Sequence, residues 1–404
     1  MTRRGFLLLV ALLAGVGLAA PGPTVITFWH AMRGHRGVAL QTLVDGFNRE
    51  NPDVVVQARF IGSDKPYGND YHALYQAILK HLAEHQPPDV AQVYENWTVQ
   101  LMSVQAVAPV QPFLTADDHV ADLVPAFREA NTWNGTLVTM PFNKSVYLLY
   151  YNPRLVPRPP RSVDDLRRTC EALARRGVYG VTFQPGMDFF GDLLYANGGA
   201  FFDGSNRAAF SGAAGVQALR TLQQLNREHA ALPAWDAQDQ FLAGKAAMYV
   251  ASSTAQVELA SRATFGFKAA TLPSGAARSY QFAGTNLAIL APPERQAAAA
   301  RLIRYLAHAD HNARFATQTG YLPVHRSALA DPTYEAFVQE HPGFQVGLDA
   351  LPYAHIQPRV SAWENVRLIL DDAVFSALSG TDPATALQQA AQQSDDLIRK
   401  LGGG

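Results

Sequence analysis

The chain has 404 residues but contains only one cysteine, Cys170. A disulfide bond within the chain is therefore excluded, and stability has to come from large hydrophobic cores. Cys170 lies in a helical pattern, so we expect a packed side chain rather than a reactive thiol. A chain of this length is too long for one ordinary core, which predicts two domains.

An excess of either charge sign is also missing. The 33 basic residues nearly equal the 34 acidic ones, the net charge is −1, and no long run of like charges occurs. This balance argues against nucleic acid or an anionic membrane as a partner. It favours a small molecule or a specific protein surface.

Common enzyme motifs are absent from the sequence. We find no G-x-S-x-G elbow, H-E-x-x-H pair, phosphate-binding P-loop or Rossmann glycine pattern. Asp371 and Asp372 are adjacent, but neighbouring helical residues point apart, which predicts an exposed acidic face. The histidines show no spacing typical of metal ligands. We therefore expect no catalytic residue, metal or cofactor.

Long apolar runs are lacking except at the N-terminus. Arg3 and Arg4 precede an apolar stretch over 6–18, and small residues at Gly17 and Ala19 fit a cleavage site. Residues 1–20 are therefore predicted to be a secretory signal peptide, too short to span a membrane. The start 2–7 also resembles a twin-arginine motif, so both export routes are open. No lipid-anchoring cysteine follows, which predicts a soluble periplasmic protein.

The first hundred residues alternate between strand and helix patterns. Strands are predicted over 25–29, 54–61 and 89–93, with helices over 38–48 and 71–84 between them. This order implies parallel strands joined by right-handed crossovers. Ligands then belong at the carboxyl ends of the strands, where Trp29-His30, Ile61-Gly62 and Tyr94-Glu95 lie.

The stretch 140–152 separates this region from a second α/β alternation. Pro141 lacks a backbone donor, which favours a lobe boundary over a sheet interior. Beyond it we predict a strand over 178–183, helices over 188–196 and 216–228, and a strand over 265–272. Ser252 and Ser253 are predicted to open a helix, whose free N–H groups attract anions. Two long helices are predicted over 362–377 and 383–401.

Several short motifs resemble one known family. In order they are Phe28-Trp29-His30, Gln92 to Glu95, Pro141 to Ser145, Leu149 to Asn152, Phe241 to Met248, Thr319 to Pro323 and Asn365 to Arg367. The mature chain resembles the family 1 extracellular solute-binding proteins of ABC importers. Within that family it most resembles the periplasmic glycerol-3-phosphate-binding proteins.

The resemblance implies an architecture and a set of partners. It implies an α/β, maltose-binding-protein-like (type II) fold of two lobes, with the ligand in the cleft between them. Lobe 1 would combine 21–140 with 271–321, and lobe 2 would combine 141–270 with 322–404. The protein would be a non-enzymatic monomer that delivers a small molecule to membrane permease subunits.

The resemblance also implies a ligand site. The residues carried over are Tyr71, Glu95, Ser145, Ser252 or Ser253, Gly284, Tyr321 and Arg367. Tyr67 or Tyr75 is an alternative to Tyr71, and Ala283 an alternative to Gly284. A guanidinium, hydroxyls and backbone N–H groups suit a phosphate monoester, while Glu95 would accept bonds from glycerol hydroxyls.

One departure from the family pattern leaves the rest of the ligand open. Where the family has tryptophans, this chain has Gly186 to Asp192. Phe189 would keep an apolar wall, whereas Asp188 or Asp192 would contact hydroxyls or choline, which adds glycerophosphodiesters as candidates. Lys144 is either a solvated rim charge or a second cation for the ligand.

Two other functions remain open at this point. A neutral sugar or oligosaccharide binder of the same family would use Trp29, Trp97, Trp363 and the many tyrosines. A secreted phosphodiesterase or glycosidase is the third hypothesis, although no nucleophile or metal motif supports it.

Overall fold

The computed structural model describes residues 22–64 and 69–401. The predicted signal peptide, 1–20, and Tyr67 lie outside these ranges. The strands are β1 Thr24–His30, β2 Val54–Phe60, β3 Val90–Val93, β4 Thr132–Trp133, β5 Thr136–Leu137, β6 Met140–Tyr151, β7 Tyr179–Phe183, β8 Ala231–Pro233, β9 Ala246–Ser252, β10 Lys268–Ala270, β11 Tyr280–Ile289 and β12 Ala354–His355.

The helices cover both faces of the sheet. They are α1 Gly34–Glu50, α2 Asp70–Ala83, α3 Glu95–Ser103, α4 Pro125–Ala130, α5 Val163–Ala174, α6 Met187–Ala196, α7 Ala213–Arg227, α8 Ala237–Leu242, α9 Ala255–Arg262, α10 Pro293–Ala307, α11 Ala309–Thr319, α12 Arg326–Leu329, α13 Pro332–Glu340, α14 Gly343–Ala350, α15 Trp363–Leu378 and α16 Pro383–Lys400.

The first half of the sheet confirms the strand and helix alternation predicted for the first hundred residues. β1 pairs in parallel with β2 on one side and β3 on the other. β11 then adds antiparallel to β3, and β6 antiparallel to β11. Helices α1, α10 and α11 pack on these strands and on one another. The alternation could be recognised because buried strands and amphipathic helices repeat apolar residues at different periods.

β6 is a continuous strand that belongs to both halves of the sheet. Its first residues, Met140 to Val146, pair with β11, and its last, Tyr147 to Tyr151, pair with β9. Pro141 lies opposite the register shift between Thr285 and Asn286. A bulge is one of the few places where a strand accommodates a residue without an N–H. Pro141 therefore marks an irregular pairing and does not end the strand.

The second half of the sheet continues from β6. β9 is antiparallel to β6 and parallel to β7, β7 is parallel to β8, and β10 adds antiparallel to β6. Helices α6, α7, α15 and α16 pack together on this half. Cys170 is fully buried there, and burial raises the pKa of its thiol, which confirms the prediction of a packed side chain.

Three chain segments lie side by side where the halves meet. Ser145 of β6 is paired with Ala283 of β11, and the N–H of Leu322 donates to the carbonyl of Lys144 at 2.7 Å. Two α/β lobes joined by adjacent segments form the predicted maltose-binding-protein-like fold. The exact lobe boundaries stay predictions. Within the described residues, no helix is both long and apolar enough to cross a membrane, and no cluster of acidic, histidine or cysteine side chains could hold a metal ion.

Two predicted boundaries were wrong. The strand expected over 265–272 is limited to β10, Lys268–Ala270. The helix expected to open at Ser252 begins instead at Ala255, because Ser252 is still the last residue of β9, paired with Tyr147.

Candidate ligand-binding site

Side chains from both lobes converge on the cleft. The first lobe contributes Arg36 from the first turn of α1, Tyr71 from the first turn of α2, and Tyr94 just before α3. The second contributes Asp188 from the first turn of α6 and Arg367 from α15. Tyr94 directly follows β3, at a strand end where ligand groups were predicted, and its contact with a ligand stays a prediction.

Aromatic rings form one wall of this cleft. The centroid of the Tyr94 ring lies 5.4 Å from the centroid of the Tyr71 ring and 5.0 Å from that of the Trp97 ring. Burial raises the pKa of Tyr94, while the positive charge of Arg367 opposes that shift. The Tyr94 hydroxyl is therefore a neutral donor within the electrostatic reach of Arg367.

The hydroxyl of Tyr71 lies 3.4 Å from that of Tyr321, in the loop after α11. Burial raises the pKa of Tyr71 well above its ordinary value, and the neighbouring phenol of Tyr321 adds to the shift. The structure thus brings the hydroxyls of these two predicted site residues together.

Arg36 reaches across the cleft. Its Nη1 lies 3.4 Å from Oγ1 of Thr254, which precedes α9 in the opposite lobe. Burial lowers the pKa of Arg36, but attraction to the oxygens of Tyr321, Tyr71 and Glu258 outweighs it, and the pKa is raised. The guanidinium therefore stays charged at any physiological pH.

Arg367 and Asp188 face each other on the second lobe. Nη2 of Arg367 lies 3.4 Å from Oδ1 of Asp188, and their side chains are 21% and 35% exposed. The hydroxyl of Tyr147 donates to Oδ2 of Asp188 at 2.7 Å. Burial lowers the pKa of Arg367, but the charge of Asp188 outweighs it and the pKa is raised. A cation and an anion therefore remain accessible to a ligand here.

Asp371 fixes the start of α6, on which Asp188 lies. Its Oδ1 accepts the N–H of Met187 at 2.8 Å, and burial raises the pKa of Asp371 to about 6. The expected exposed acidic face is therefore wrong for Asp371 and correct for Asp372, which is exposed. A carboxylate at a helix N-terminus is favoured by the helix dipole.

Glu364 connects the two lobes one turn before Arg367. It accepts the indole N–H of Trp97 at 3.0 Å, and its other oxygen lies 3.2 Å from Nδ1 of His72. Trp97 and His72 belong to the first lobe, whereas Glu364 begins α15 in the second. Trp97 is buried, so its contribution here is a hydrogen bond between lobes.

The two serines at the end of β9 have different environments. Oγ of Ser252 accepts from the hydroxyl of Thr254 at 3.1 Å, beside Arg36. Ser253 is 1% exposed, and its hydroxyl lies 3.4 Å from the carbonyl of Gly320. Of the two, Ser252 is the more accessible.

Glu95 and Lys144 form a buried ion pair. Nζ of Lys144 lies 2.7 Å from Oε1 of Glu95, and their side chains are 2% and 3% exposed. Asn286 donates to the same carboxylate oxygen at 3.2 Å. The interpretation of Lys144 as a solvated rim charge is therefore wrong. Whether Glu95 also contacts the ligand stays a prediction.

Gly284 is required by the packing of the strands. Its φ is +92°, and a Cβ added there would lie 1.7 Å from the carbonyl oxygen of Asn143. The glycine is thus needed for the close approach of β6, and a ligand contact at Gly284 stays a prediction. Ser145 is 2% exposed beside it, and the alternative residue Ala283 is half-buried.

Other candidates lie farther into the protein. Phe189 is 2% exposed and packs edge-on against Phe183, with centroids 5.1 Å apart. Asp192 is 1% exposed, burial raises its pKa well above the ordinary value, and its Oδ1 accepts the N–H of Gln281. Tyr75 donates to Gln100. The structure does not bring these three side chains to the cleft surface.

Sequence reasoning missed several cleft residues: Arg36, His72, Tyr147, Thr254 and Glu364. Arg36 had a usable signal, since a cation in the first turn of a helix opposes the helix dipole. Tyr94 was visible as a strand-end residue. The others had no local pattern that sets them apart.

Comparisons with known proteins identify the family of the chain. Residues 43–346 match the family model for bacterial extracellular solute-binding proteins. The sn-glycerol-3-phosphate-binding periplasmic protein UgpB of Escherichia coli O1:K1 is 25% identical over 430 aligned positions, which cover 97% of each chain.

Solved structures share the fold at lower identity. UgpB from Mycobacterium tuberculosis, in complex with glycerophosphocholine, has a TM-score of 0.84 at 23% identity, over 95% of this chain and 100% of that one. The GacH receptor of Streptomyces glaucescens, solved unliganded and with acarbose, has a TM-score of 0.83 at 21% identity. The match covers 93% of this chain and 99% of that one. Because these scores are so similar, the fold does not select the ligand. The family match over most of its length shows that the chain belongs to the bacterial extracellular solute-binding proteins.

Proposed function

We propose that this protein is the solute-binding component of an ABC importer and that it carries a phosphorylated glycerol, either glycerol-3-phosphate or a glycerophosphodiester. The ligand would bind in the cleft between the lobes. Lobe closure around it would form the surface that the membrane permease subunits recognise. No reaction of the ligand is part of this role.

One observation carries the proposal: a guanidinium and several neutral hydroxyls face the same cleft. Arg367 is partly exposed there, the raised pKa values of Tyr71 and Tyr94 keep their hydroxyls protonated, and the hydroxyl of Tyr321 lies beside that of Tyr71. A planar guanidinium with O–H donors is the chemistry that binds phosphate oxygens strongly. The E. coli relative, named for sn-glycerol-3-phosphate, supports the same ligand class.

The other half of the ligand would lie near Asp188. This carboxylate is 35% exposed and already accepts the Tyr147 hydroxyl. It has a further lone pair for a glycerol hydroxyl or for a cationic substituent. A glycerophosphodiester with a positively charged end therefore suits the site as well as glycerol-3-phosphate does.

Isothermal titration calorimetry tests the proposal directly. We expect glycerol-3-phosphate or glycerophosphocholine to bind, and Arg367→Ala to weaken that binding by about 2 kcal/mol, roughly 30-fold, because a charge-assisted phosphate contact is lost. Arg176→Ala, at an exposed position of the same lobe, is the matched control. Unchanged affinity of Arg367→Ala would show that the phosphate assignment is wrong.

The same titrations decide between the alternatives. Binding of maltose or trehalose without binding of phosphoesters would favour a sugar binder. The tryptophans that a sugar binder would use, Trp29, Trp97 and Trp363, are 5%, 1% and 1% exposed. They therefore offer little surface for stacking on a sugar ring in this conformation. Release of choline or glycerol during long incubation with glycerophosphocholine would instead support a hydrolase.

A further inference from the structure

The charge of Arg36 lies at an unfavourable position in the fold. It lies in the first turn of α1, where the helix dipole disfavours a cation. None of the ion pairs among the described residues includes it. The negative charge of Glu258 lies near enough to raise the pKa of Arg36. Glu258 already forms an ion pair with Arg262, however, with the charged atoms 2.7 Å apart. A cation that opposes the helix dipole without forming an ion pair breaks a local rule with no evident structural gain, and this is typical of a functional residue.

Hydroxyl groups surround the Arg36 guanidinium. Nη1 lies 3.4 Å from Oγ1 of Thr254, which itself lies 3.1 Å from Oγ of Ser252. The phenols of Tyr71 and Tyr321 lie near enough to Arg36 to raise the pKa of its guanidinium. The 3.4 Å separations of Arg36 from Thr254 and of Tyr71 from Tyr321 are long for hydrogen bonds. An anion with several oxygens would offer all these donors better acceptors.

Arg367 is in a different electrostatic situation. Asp188 lies 3.4 Å from it and balances much of its charge. Among the described residues no carboxylate forms an ion pair with Arg36, so the attraction for an anion is greater at the Arg36 side of the cleft.

We propose, on the basis of the function proposed above, that Arg36 binds the ligand phosphate from the first lobe. The hydroxyls of Tyr71, Tyr321, Ser252 and Thr254 complete the contacts. The phosphate then lies between the two lobes, because Arg36 belongs to one lobe and Thr254 to the other. Closure is favoured since both sets of contacts form only when the lobes meet.

The Arg36 side of the cleft therefore determines that the ligand carries a phosphate. The side formed by Asp188 and Tyr147 determines what is attached to that phosphate, while Arg367 contacts the phosphate from the second lobe. The ligand class that fits is a compound with one phosphate group and a hydroxyl-bearing or cationic substituent.

The test compares three variants by calorimetry with glycerol-3-phosphate, glycerophosphocholine and maltose. Arg36→Ala should weaken binding of the phosphorylated ligands by about 30-fold or more, the loss expected when a buried charge contact is removed. Arg36→Lys keeps a charge without the planar fork, so it should recover part of that loss. Arg49→Ala is the control, since Arg49 is an exposed residue on the same helix, about 20 Å along its axis.

The melting temperature of each ligand-free variant separates binding from folding. We expect it to be unchanged for Arg36→Ala, because Arg36 takes part in no described ion pair. If the wild type binds phosphorylated glycerols and Arg36→Ala binds them within about twofold as tightly, the Arg36 assignment is wrong while the proposed function stands. If the wild type binds neither phosphorylated ligand, the proposed function is wrong and the Arg36 assignment fails with it.

Discussion

The ion pair between Glu95 and Lys144 predicts a large loss of stability when only one partner is removed. Both side chains are almost fully buried, their charged atoms are 2.7 Å apart, and Oε2 of Glu95 has no hydrogen-bond partner among the described residues. Removing Lys144 would leave a buried carboxylate whose remaining donor is Asn286. Breaking a buried pair in this way costs about 3–5 kcal/mol, because the remaining charge is neither solvated nor paired.

Lys144→Met and Glu95→Gln are suitable variants, since each removes a charge and nearly keeps the side-chain length. We expect each to lower the free energy of unfolding by about 3 kcal/mol or more in urea denaturation. The double variant should lose less than the sum of the two, with a coupling energy of about 2 kcal/mol, because no unpaired charge is left. Total stabilities of about 5–15 kcal/mol make these changes easy to measure.

The chain offers a matched control of the same residue types. Lys80 and Glu84 form an i,i+4 pair at 3.9 Å with side chains 69% and 49% exposed. Lys80→Met and Glu84→Gln should change stability by only about 0.5 kcal/mol, the usual value for an exposed helical pair.

The same variants test whether Glu95 is a ligand contact. If Glu95→Gln loses stability but its affinity, measured on the folded fraction, stays near that of the wild type, the carboxylate is structural. Unaltered stability together with a tenfold or greater loss of affinity, about 1.4 kcal/mol, would refute our reasoning about the pair.

Two further predictions follow from buried polar groups. Burial lowers the pKa of His30 to about 4 from 6.5, so its stabilising contribution is fully present above pH 6.5 and is lost as the pH falls toward 4. We expect the unfolding free energy to fall by about 2 kcal/mol more between pH 7 and 4.5 in the wild type than in His30→Asn, which keeps an acceptor for the Met32 N–H. The exposed control His85→Asn should keep the wild-type pH dependence, and equal slopes in all three proteins would contradict this. Glu364→Ala should weaken ligand binding by about tenfold and shift ligand-bound protein toward the open form in small-angle scattering, since two hydrogen bonds between lobes are lost. Asp372→Ala, which changes an exposed acid on the same helix, should alter neither the affinity nor the scattering. If Glu364→Ala also left both unchanged, Glu364 would not hold the lobes together.

Much of the fold was predictable because its elements carry local patterns. Strands β1, β2 and β3 and the long helices repeat apolar residues at their own periods, and Ser162, a residue type favoured at N-caps, caps α5 by accepting the N–H of Asp165 at 3.1 Å. The start of α9 was misplaced because hydroxyl residues from Ser252 to Thr254 make each position a plausible cap. Local preference alone did not reveal that Ser252 is held in β9 by pairing with β6.

The ion pair of Glu95 and Lys144 was not predictable from local sequence. β3 and β6 do not pair with each other, since β11 lies between them, and Asn286 of β11 faces Val93 on one side and Pro141 on the other. The two charged side chains therefore meet across an intervening strand. Only the order of strands in the sheet brings together residues so far apart in the chain.

The cleft shows the opposite relation between local sequence and function. Arg36 contradicts a local rule, and its position is readable from the sequence: it follows the carboxyl end of β1 and opens a helix. Arg367 contradicts no rule, because a cation in the middle of a helix is ordinary. A search for cations in the first turn of helices that follow parallel strands would have found Arg36 without any structure. It would have missed Arg367, for which the resemblance to a family was necessary. The two cations of the proposed site thus require two different kinds of evidence, and variants at both positions are needed to establish how the ligand is held.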